Sequence, residues 1–117
     1  MLNVYKIADD YAESILEEFV TQAIDNPYEG EALGEIAEQY ADDSEHVIYY
    51  GKAHEFVQAL PFDRRTDAEQ EVADCGMINE NTTYDSLATL ITYFALKMLI
   101  LDAVDKRLES VRTPSYA

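Results

Sequence analysis

The feature that most constrains this fold is an apolar segment toward the C-terminal end of the sequence, residues 84–101. Its 18 residues include one acid, Asp85, and one base, Lys97, and the stretch Leu87–Leu101 is apolar on nearly every side of a helical projection. A helix that is apolar all round has to be surrounded by other segments. The run is interrupted by the lysine and is shorter than the roughly 20 residues of a membrane span. The segment therefore predicts a long buried helix, Tyr84–Val111, and no membrane span.

The rest of the chain shows the spacing of helices, because its apolar residues recur at intervals of three and four. This spacing predicts four further helices, namely Val4–Ala23, Leu33–Tyr40, one that begins at Val47 and ends near Leu60-Pro61, and one that opens at Thr66 and closes at Gly76. Pro27 ends the first helix, Ser44 caps the third, and capping-box spacing opens the fourth. The run Val47-Ile48-Tyr49-Tyr50 is alternatively a strand. We expect an all-α, compact single domain over residues 1–117, with about five helices around the long buried C-terminal helix.

The chain is strongly and unevenly acidic. Its 117 residues carry 24 Asp and Glu against 8 Lys and Arg, for a formal charge of −16. The segment Ile7–Gly51 contains 13 of the acids and neither lysine nor arginine, whereas residues 84–117 are nearly balanced. A surplus of this sign repels DNA, RNA and anionic membrane surfaces. We therefore expect no direct nucleic-acid partner and no membrane partner, and a basic protein instead.

Cysteine content and the N-terminal residues indicate the compartment. The single Cys75 excludes an intramolecular disulfide and is typical of a reducing environment, and we interpret it as a small packing residue. No N-terminal stretch combines basic residues with an apolar run, so the sequence predicts no signal peptide. Hydrophobic residues make up 48% of the chain, which is too many for a disordered acidic tail. We expect a folded cytoplasmic protein.

Motifs of catalysis and metal binding are largely absent from the sequence. There is no glycine-rich phosphate loop and no Gly-x-Ser-x-Gly. His54-Glu55 begins like a zinc-protease motif, but Gln58 occupies the position of the second histidine, and Asp43 and His46 form a single di-iron half-site without a second copy. The two histidines are interpreted as buried or interfacial residues that hydrogen bond to tyrosine. We expect no enzyme, no metal and no cofactor.

Carboxylates recur at helical intervals on two of the predicted helices. Asp9, Glu13 and Glu17 lie four residues apart, and Glu31–Asp42 carries a second row at steps of four, three and four. Up to seven close pairs of like charge cost roughly 1.5–3.5 kcal/mol of a domain stability near 5–15 kcal/mol. Folding gains nothing from such rows, and a surface made acidic only for solubility would be acidic throughout. The rows indicate carboxylates that replace the phosphates of a duplex, which repeat about every 3.4 Å along each strand.

The order of features along residues 31–108 also points to a family. An acidic helical region is followed by His46-Val47-Ile48-Tyr49-Tyr50 with Phe56, then by Asp74-Cys75-Gly76-Met77 and a long apolar helix. This order resembles the phage Ocr-type antirestriction proteins. The resemblance implies a small acidic helical dimer that imitates bent B-form DNA, occupies the DNA-binding groove of type I restriction–modification enzymes and acts in a bacterial host cell. The family ends in a strongly acidic tail, whereas the last six residues here include one base and no acid.

The sequence thus predicts a DNA-mimic inhibitor of a bacterial DNA-binding defence enzyme, with a type I restriction–modification complex as the first choice of target. The alternatives are an anti-CRISPR protein that blocks a Cas effector by the same mimicry, and an acidic adaptor that binds a basic transcription or nucleoid protein. A homodimer is expected, with Tyr49, Tyr50 and Phe56 as candidate interface residues. The candidate partner-binding carboxylates are Asp9, Asp10, Glu13, Glu17, Glu18, Glu31, Glu35, Glu38, Asp42, Asp43 and Glu45.

Overall fold

The described residues of the protein form an all-α structure of six helices. The structure, a computed structural model, describes the backbone of residues 2–22 and 29–112 and the side chains of residues 2–18 and 34–107. The helices are α1 (Val4–Gln22), α2 (Glu29–Asp42), α3 (Glu45–Ile48), α4 (Tyr50–Ala59), α5 (Phe62–Asp74) and α6 (Tyr84–Arg112). No strand occurs within these two backbone ranges. The predicted all-α class and the long C-terminal helix are confirmed, with one helix more than expected.

The additional helix arises where the predicted third helix divides. Ser44 begins α3 as predicted, because its hydroxyl accepts a hydrogen bond from the backbone N–H of His46 at 3.2 Å. Tyr49 then adopts an extended conformation (φ −103°, ψ 121°) between α3 and α4. Val47 and Ile48 are β-branched and, with the aromatic Tyr49, form helix less readily than most residues. The single helix and the alternative strand are therefore both wrong for this segment.

The ends of α5 and α6 test the residues that were predicted to begin and end helices. The helix predicted as the fourth is α5, and it begins at Phe62 directly after Pro61. The predicted start at Thr66 is wrong, because Thr66 lies inside the helix and its hydroxyl donates to the Phe62 carbonyl at 2.8 Å. Gly76 ends α5 as predicted, because its φ of 70° lies in the left-handed region that favours glycine. Thr83 caps α6 by accepting from the backbone N–H of Ser86 at 3.1 Å. The predicted stop of the first helix at residues 25–28 lies outside the described residues.

The long helix α6 is the centre of the molecule, and each of the other five helices contacts it. The largest fully buried side chains of the core include Ile15, Phe56, Leu96 and Ile100. Burial of each such side chain contributes about 1.5–3 kcal/mol relative to exposure. The one hydroxyl among the fully buried side chains, that of Thr92, lies 2.8 Å from the Ala88 carbonyl and 3.1 Å from the Ala53 carbonyl. This polar group is therefore satisfied and joins α4 to α6.

Coverage of α6 is nevertheless incomplete. Residues Tyr84–Arg107 are long and apolar enough to cross a membrane by length and composition, and 44% of their most apolar window is buried against the rest of the chain. A core helix has the same composition, because it too is apolar on every side. One face of α6 remains half-buried.

Candidate functional site

The predicted carboxylate row on α1 faces outward. Asp9, Glu13 and Glu17 are exposed, whereas Ala8 and Ala12 on the opposite side of the helix are fully buried. At a rise of about 1.5 Å per residue, the three carboxylates follow one another at steps of about 6 Å. The helical period therefore places these three side chains on one exposed face, as the sequence predicts.

Part of the α1 row is neutralised within the chain. The Lys6 Nζ lies 3.3 Å from Asp10 Oδ2, and the Arg107 Nη2 lies 2.9 Å from Asp9 Oδ2. Glu18 lies apart from the row and accepts a hydrogen bond from the Tyr40 hydroxyl of α2 at 3.1 Å. Burial, the hydrogen bond to Glu18 and the negative charge of that carboxylate together raise the pKa of Tyr40. Glu18 therefore joins α1 to α2. The charges of Asp9 and Asp10 are partly offset by the bases paired with them.

The second predicted row follows α2 toward α6. Glu35 and Asp42 are exposed, and Glu38 lies between them with its Oε1 at 2.6 Å from the Nζ of Lys97 on α6. Burial raises the pKa of Tyr93, the charges of Glu38 and Asp42 raise it further, and Lys97 opposes them. The side chain of Glu31 lies outside the described residues. The α2 row is thus a boundary between acidic surface and the central helix.

The two rows lie on different sides of the molecule. Tyr40 of α2 contacts α1, with its ring centroid 5.9 Å from that of Tyr11. Glu38 precedes Tyr40 by two positions, which is about 200° around a helix, and it contacts α6 instead. The α2 row therefore lies on the side of α2 that faces away from α1. The structure does not bring all the candidate carboxylates into one continuous surface.

The junction of α2, α3 and α4 contains the remaining candidates. Asp43 and Glu45 are exposed, and the Glu45 Oε2 lies 3.1 Å from the Nζ of Lys52. Tyr49 and Tyr50 are 60% and 56% exposed, so both remain available to a partner. The third interface candidate, Phe56, is 0% exposed within the single chain, and its ring packs 5.5 Å from that of His46. Phe56 is a core residue of α4, and its selection as an interface residue is wrong.

A third carboxylate row, on α5, was missed by the sequence analysis. Asp63, Asp67, Glu71 and Asp74 follow one another at steps of four, four and three, and all four are exposed. None of them forms an ion pair in the part of the chain that the structure describes. The regular spacing of these four acids is visible in the sequence. They lie outside the segment Ile7–Gly51, however, whose lack of lysine and arginine distinguishes the other two rows. This row carries the least neutralised charge of the three.

The lysines and arginines are mostly used inside the molecule. Six of the seven with described side chains form ion pairs with carboxylates of the same chain, and Lys106 is the exception. Several of them line a cleft of about 1010 Å³ between α1, α5 and α6. Its charged lining comprises Lys6, Asp9, Arg64, Asp102, Asp105, Lys106 and Arg107. Four of the bases therefore lie in a mixed-charge cleft, which Asp9 of the α1 row also lines.

The histidines and the cysteine are not arranged around a reaction centre. The His54 Nε2 lies 2.6 Å from Asp85 Oδ1, and its ring stacks on Tyr84 with centroids 5.0 Å apart. His46 is buried and its Nδ1 has no hydrogen-bond partner among the described atoms, so neither ring bonds to a tyrosine hydroxyl as predicted. Cys75 is exposed, contrary to its interpretation as a packing residue. Among the described side chains, no three His, Cys, Asp or Glu residues are grouped closely enough to hold a metal ion.

Comparison with known proteins assigns no function to this chain. No protein-family model, curated protein or solved structure matches this chain. The candidate site is therefore defined by geometry and charge alone, as exposed rows of carboxylates on α1 and α5 and the exposed Glu35 and Asp42 on α2.

Proposed function

We propose that this protein inhibits a bacterial DNA-binding defence enzyme by presenting carboxylates in the place of DNA phosphates. The proposed target is a type I restriction–modification complex in the cytoplasm of the host cell, and the protein itself is not an enzyme. The observation that carries the proposal is the presence of exposed carboxylate rows on α1 and α5, together with the exposed Glu35 and Asp42 on α2. A protein that binds duplex DNA through lysine and arginine side chains offers charges complementary to such rows.

The spacing of the rows supports this proposal. Steps of about 6 Å along a helix are slightly shorter than two base-pair rises of about 3.4 Å each. Rows on separate helices also provide more than one line of charge, as the two strands of a duplex do. The rows of α1 and α2 contain ion pairs, but exposed pairs are worth only about 0–1 kcal/mol. Cationic side chains of the target can therefore compete for these carboxylates.

The experiment is a competition assay with a purified type I restriction–modification complex and a fluorescent duplex that carries its recognition sequence. The protein should displace the duplex, and its affinity should fall steeply as the salt concentration rises from about 50 to about 500 mM, because charge pairs are screened. Affinity that stays constant over this range would exclude mimicry by charge. Displacement of target DNA from a Cas effector and not from the restriction complex would transfer the proposal to the anti-CRISPR alternative.

A pair of matched variants separates an ordered row from net charge. Neutralising the α2 row by changing Glu31, Glu35, Glu38 and Asp42 to Gln or Asn removes four charge pairs of about 0.5 kcal/mol each, or roughly 30-fold in affinity. The control removes the same charge from scattered exposed positions, namely Glu55, Glu69, Glu80 and Asp105. The control should lose only a few-fold in affinity. Equal losses in the two variants would mean that total charge matters and the rows do not.

One observation favours the adaptor alternative. Ile48, Tyr49 and Tyr50 are 57%, 60% and 56% exposed and adjoin the acidic end of α2. A partner that binds mainly through this aromatic patch would depend on one or two anchor residues and little on salt. Changing Tyr49 and Tyr50 together to Ser in the competition assay tests it. The mimicry proposal predicts little change, and abolished binding supports the adaptor.

A further inference from the structure

The half-buried face of α6 carries five large apolar side chains. They are Leu87, Leu90, Phe94, Met98 and Leu101, and each packs against the core with part of its surface still exposed. At about 100° per residue, the five positions fall within an arc of about 80° on one side of the helix. We call this face the α6 seam. The 14 steps from Leu87 to Leu101 correspond to about 21 Å of helix.

Two other helices flank the α6 seam without covering it. On one side Lys97 bonds to Glu38 of α2, and on the other Asp102 bonds to Arg64 of α5 at 2.8 Å. The seam lies between these two ion pairs, and its members remain partly exposed in the described part of the structure. It is therefore an apolar strip with a charged border on each side, which is the anatomy of a protein–protein interface.

The order of the five residues is symmetric about Phe94. Steps of three, four, four and three separate them. An antiparallel pairing of two such helices places Leu87 opposite Leu101 and Leu90 opposite Met98, and sets Phe94 against its own copy. A two-fold symmetric interface requires this relation, in which residue i contacts residue j and j contacts i. A second copy of this helix therefore matches the pattern residue for residue.

Charge also favours a second copy at this face. Two chains of −16 repel each other, so they can associate only where the acid is absent. Between Asp85 and Asp102 the helix carries no acid and a single base, Lys97. We propose that the α6 seam is the interface of a symmetric homodimer with antiparallel α6 helices and a two-fold axis at Phe94. This proposal is independent of the proposed function.

The size of the α6 seam determines the expected affinity of the dimer. A standard interface buries about 800 Å² on each partner, whereas a strip about 21 Å long and one helix wide supplies only the centre of such an area. We therefore expect a reversible dimer that dissociates in the micromolar range. Tyr49 and Tyr50 of the earlier prediction lie on other elements and do not belong to this interface.

The first test is the molar mass of the full chain by sedimentation equilibrium across a concentration series, at about 50 and about 500 mM salt. The dimer should tighten as salt rises, because screening reduces the repulsion between two acidic copies. Binding to a DNA-binding enzyme should weaken over the same range, so the two proposals can fail separately. A chain that stays monomeric at every concentration and salt would overturn the interface.

The second test locates the contact by cysteine cross-linking. Phe94→Cys in a Cys75→Ser background should give a disulfide-linked dimer on mild oxidation, because the two-fold axis brings position 94 of both copies together. Tyr49→Cys in the same background is the matched control and should remain largely monomeric. Efficient cross-linking at position 49 and not at 94 would overturn the seam. Phe94→Glu, with folding checked by circular dichroism, should shift the protein to monomer without loss of helix.

Discussion

The outward faces of α1, α2 and α5 differ sharply from the seam of α6 that lies between α2 and α5. The rows carry carboxylates at nearly every turn, whereas the seam carries five apolar side chains and no acid between Asp85 and Asp102. A chain acidic only for solubility would place charge on its most apolar exposed face first. Here the apolar face is left without acid, and the acid is concentrated in rows. The two proposals assign these two surfaces to separate partners.

The two surfaces should respond to salt in opposite directions. Contacts made by the rows consist of charge pairs, and screening over about 10 Å at 0.1 M weakens them. Contacts made by the seam are apolar, and they are opposed by the repulsion of two acidic chains. If salt changed both affinities in the same direction, one surface would account for both the binding to the enzyme and the self-association. The predictions below test the division residue by residue.

The largest effect is expected from the core residue that was mistaken for an interface. Phe56→Ala should destabilise the fold by about 3–5 kcal/mol, because the side chain is fully buried among the helices. Tyr49→Ala at the adjoining exposed position should change stability by less than about 0.5 kcal/mol. Urea denaturation followed by circular dichroism measures both. Similar losses in the two variants would mean that Tyr49 also belongs to the core.

The next effect compares the carboxylate rows with one another. Changing Asp63, Asp67, Glu71 and Asp74 of α5 to Asn or Gln should weaken target binding by roughly 30-fold, from four charge pairs at about 0.5 kcal/mol each. The loss should equal or exceed that of the α2 row, because Glu38 of α2 is already paired with Lys97. Titration against the restriction complex at low salt measures it. A variant with full affinity would remove α5 from the binding surface.

These results separate what the sequence could reveal from what it could not. Helical period and caps such as Ser44 and Gly76 are local, so four of the six helices, α1, α2, α5 and α6, were predicted as separate helices near their observed positions. Pairing across the fold is not local, and nothing near Asp9 in the sequence indicates Arg107. Burial is similarly a property of packing. Phe56 and Tyr49 are both aromatic residues, yet one is 0% and the other 60% exposed.

A smaller effect should appear in the stability of the α2 row itself. Changing Glu35 to Gln and Asp42 to Asn removes three like-charge pairs within α2 of about 0.2–0.5 kcal/mol each, so unfolding should cost about 1 kcal/mol more. Changing Glu38 to Gln should instead leave stability unchanged or slightly lower, since the ion pair with Lys97 is lost together with two repulsions. Thermal unfolding at low ionic strength compares the variants. A destabilised double variant would mean that these carboxylates have favourable partners.

The smallest effect lies at the boundary between the acidic row and α6, where Tyr93 reports on both. Its pKa is raised by burial and by Glu38 and Asp42, against the opposing charge of Lys97. A raised pKa favours the neutral phenol in the folded state, so this contribution to stability is complete below pH 10 and is lost as pH rises through the folded pKa. Glu38→Gln should therefore lower the pKa of Tyr93, because it removes one negative charge and leaves Lys97 in place. Ultraviolet titration of tyrosinate measures the shift, and Tyr93→Phe assigns the step to this residue. An unchanged titration in Glu38→Gln would mean that the charge of Glu38 does not act on Tyr93 of the central helix.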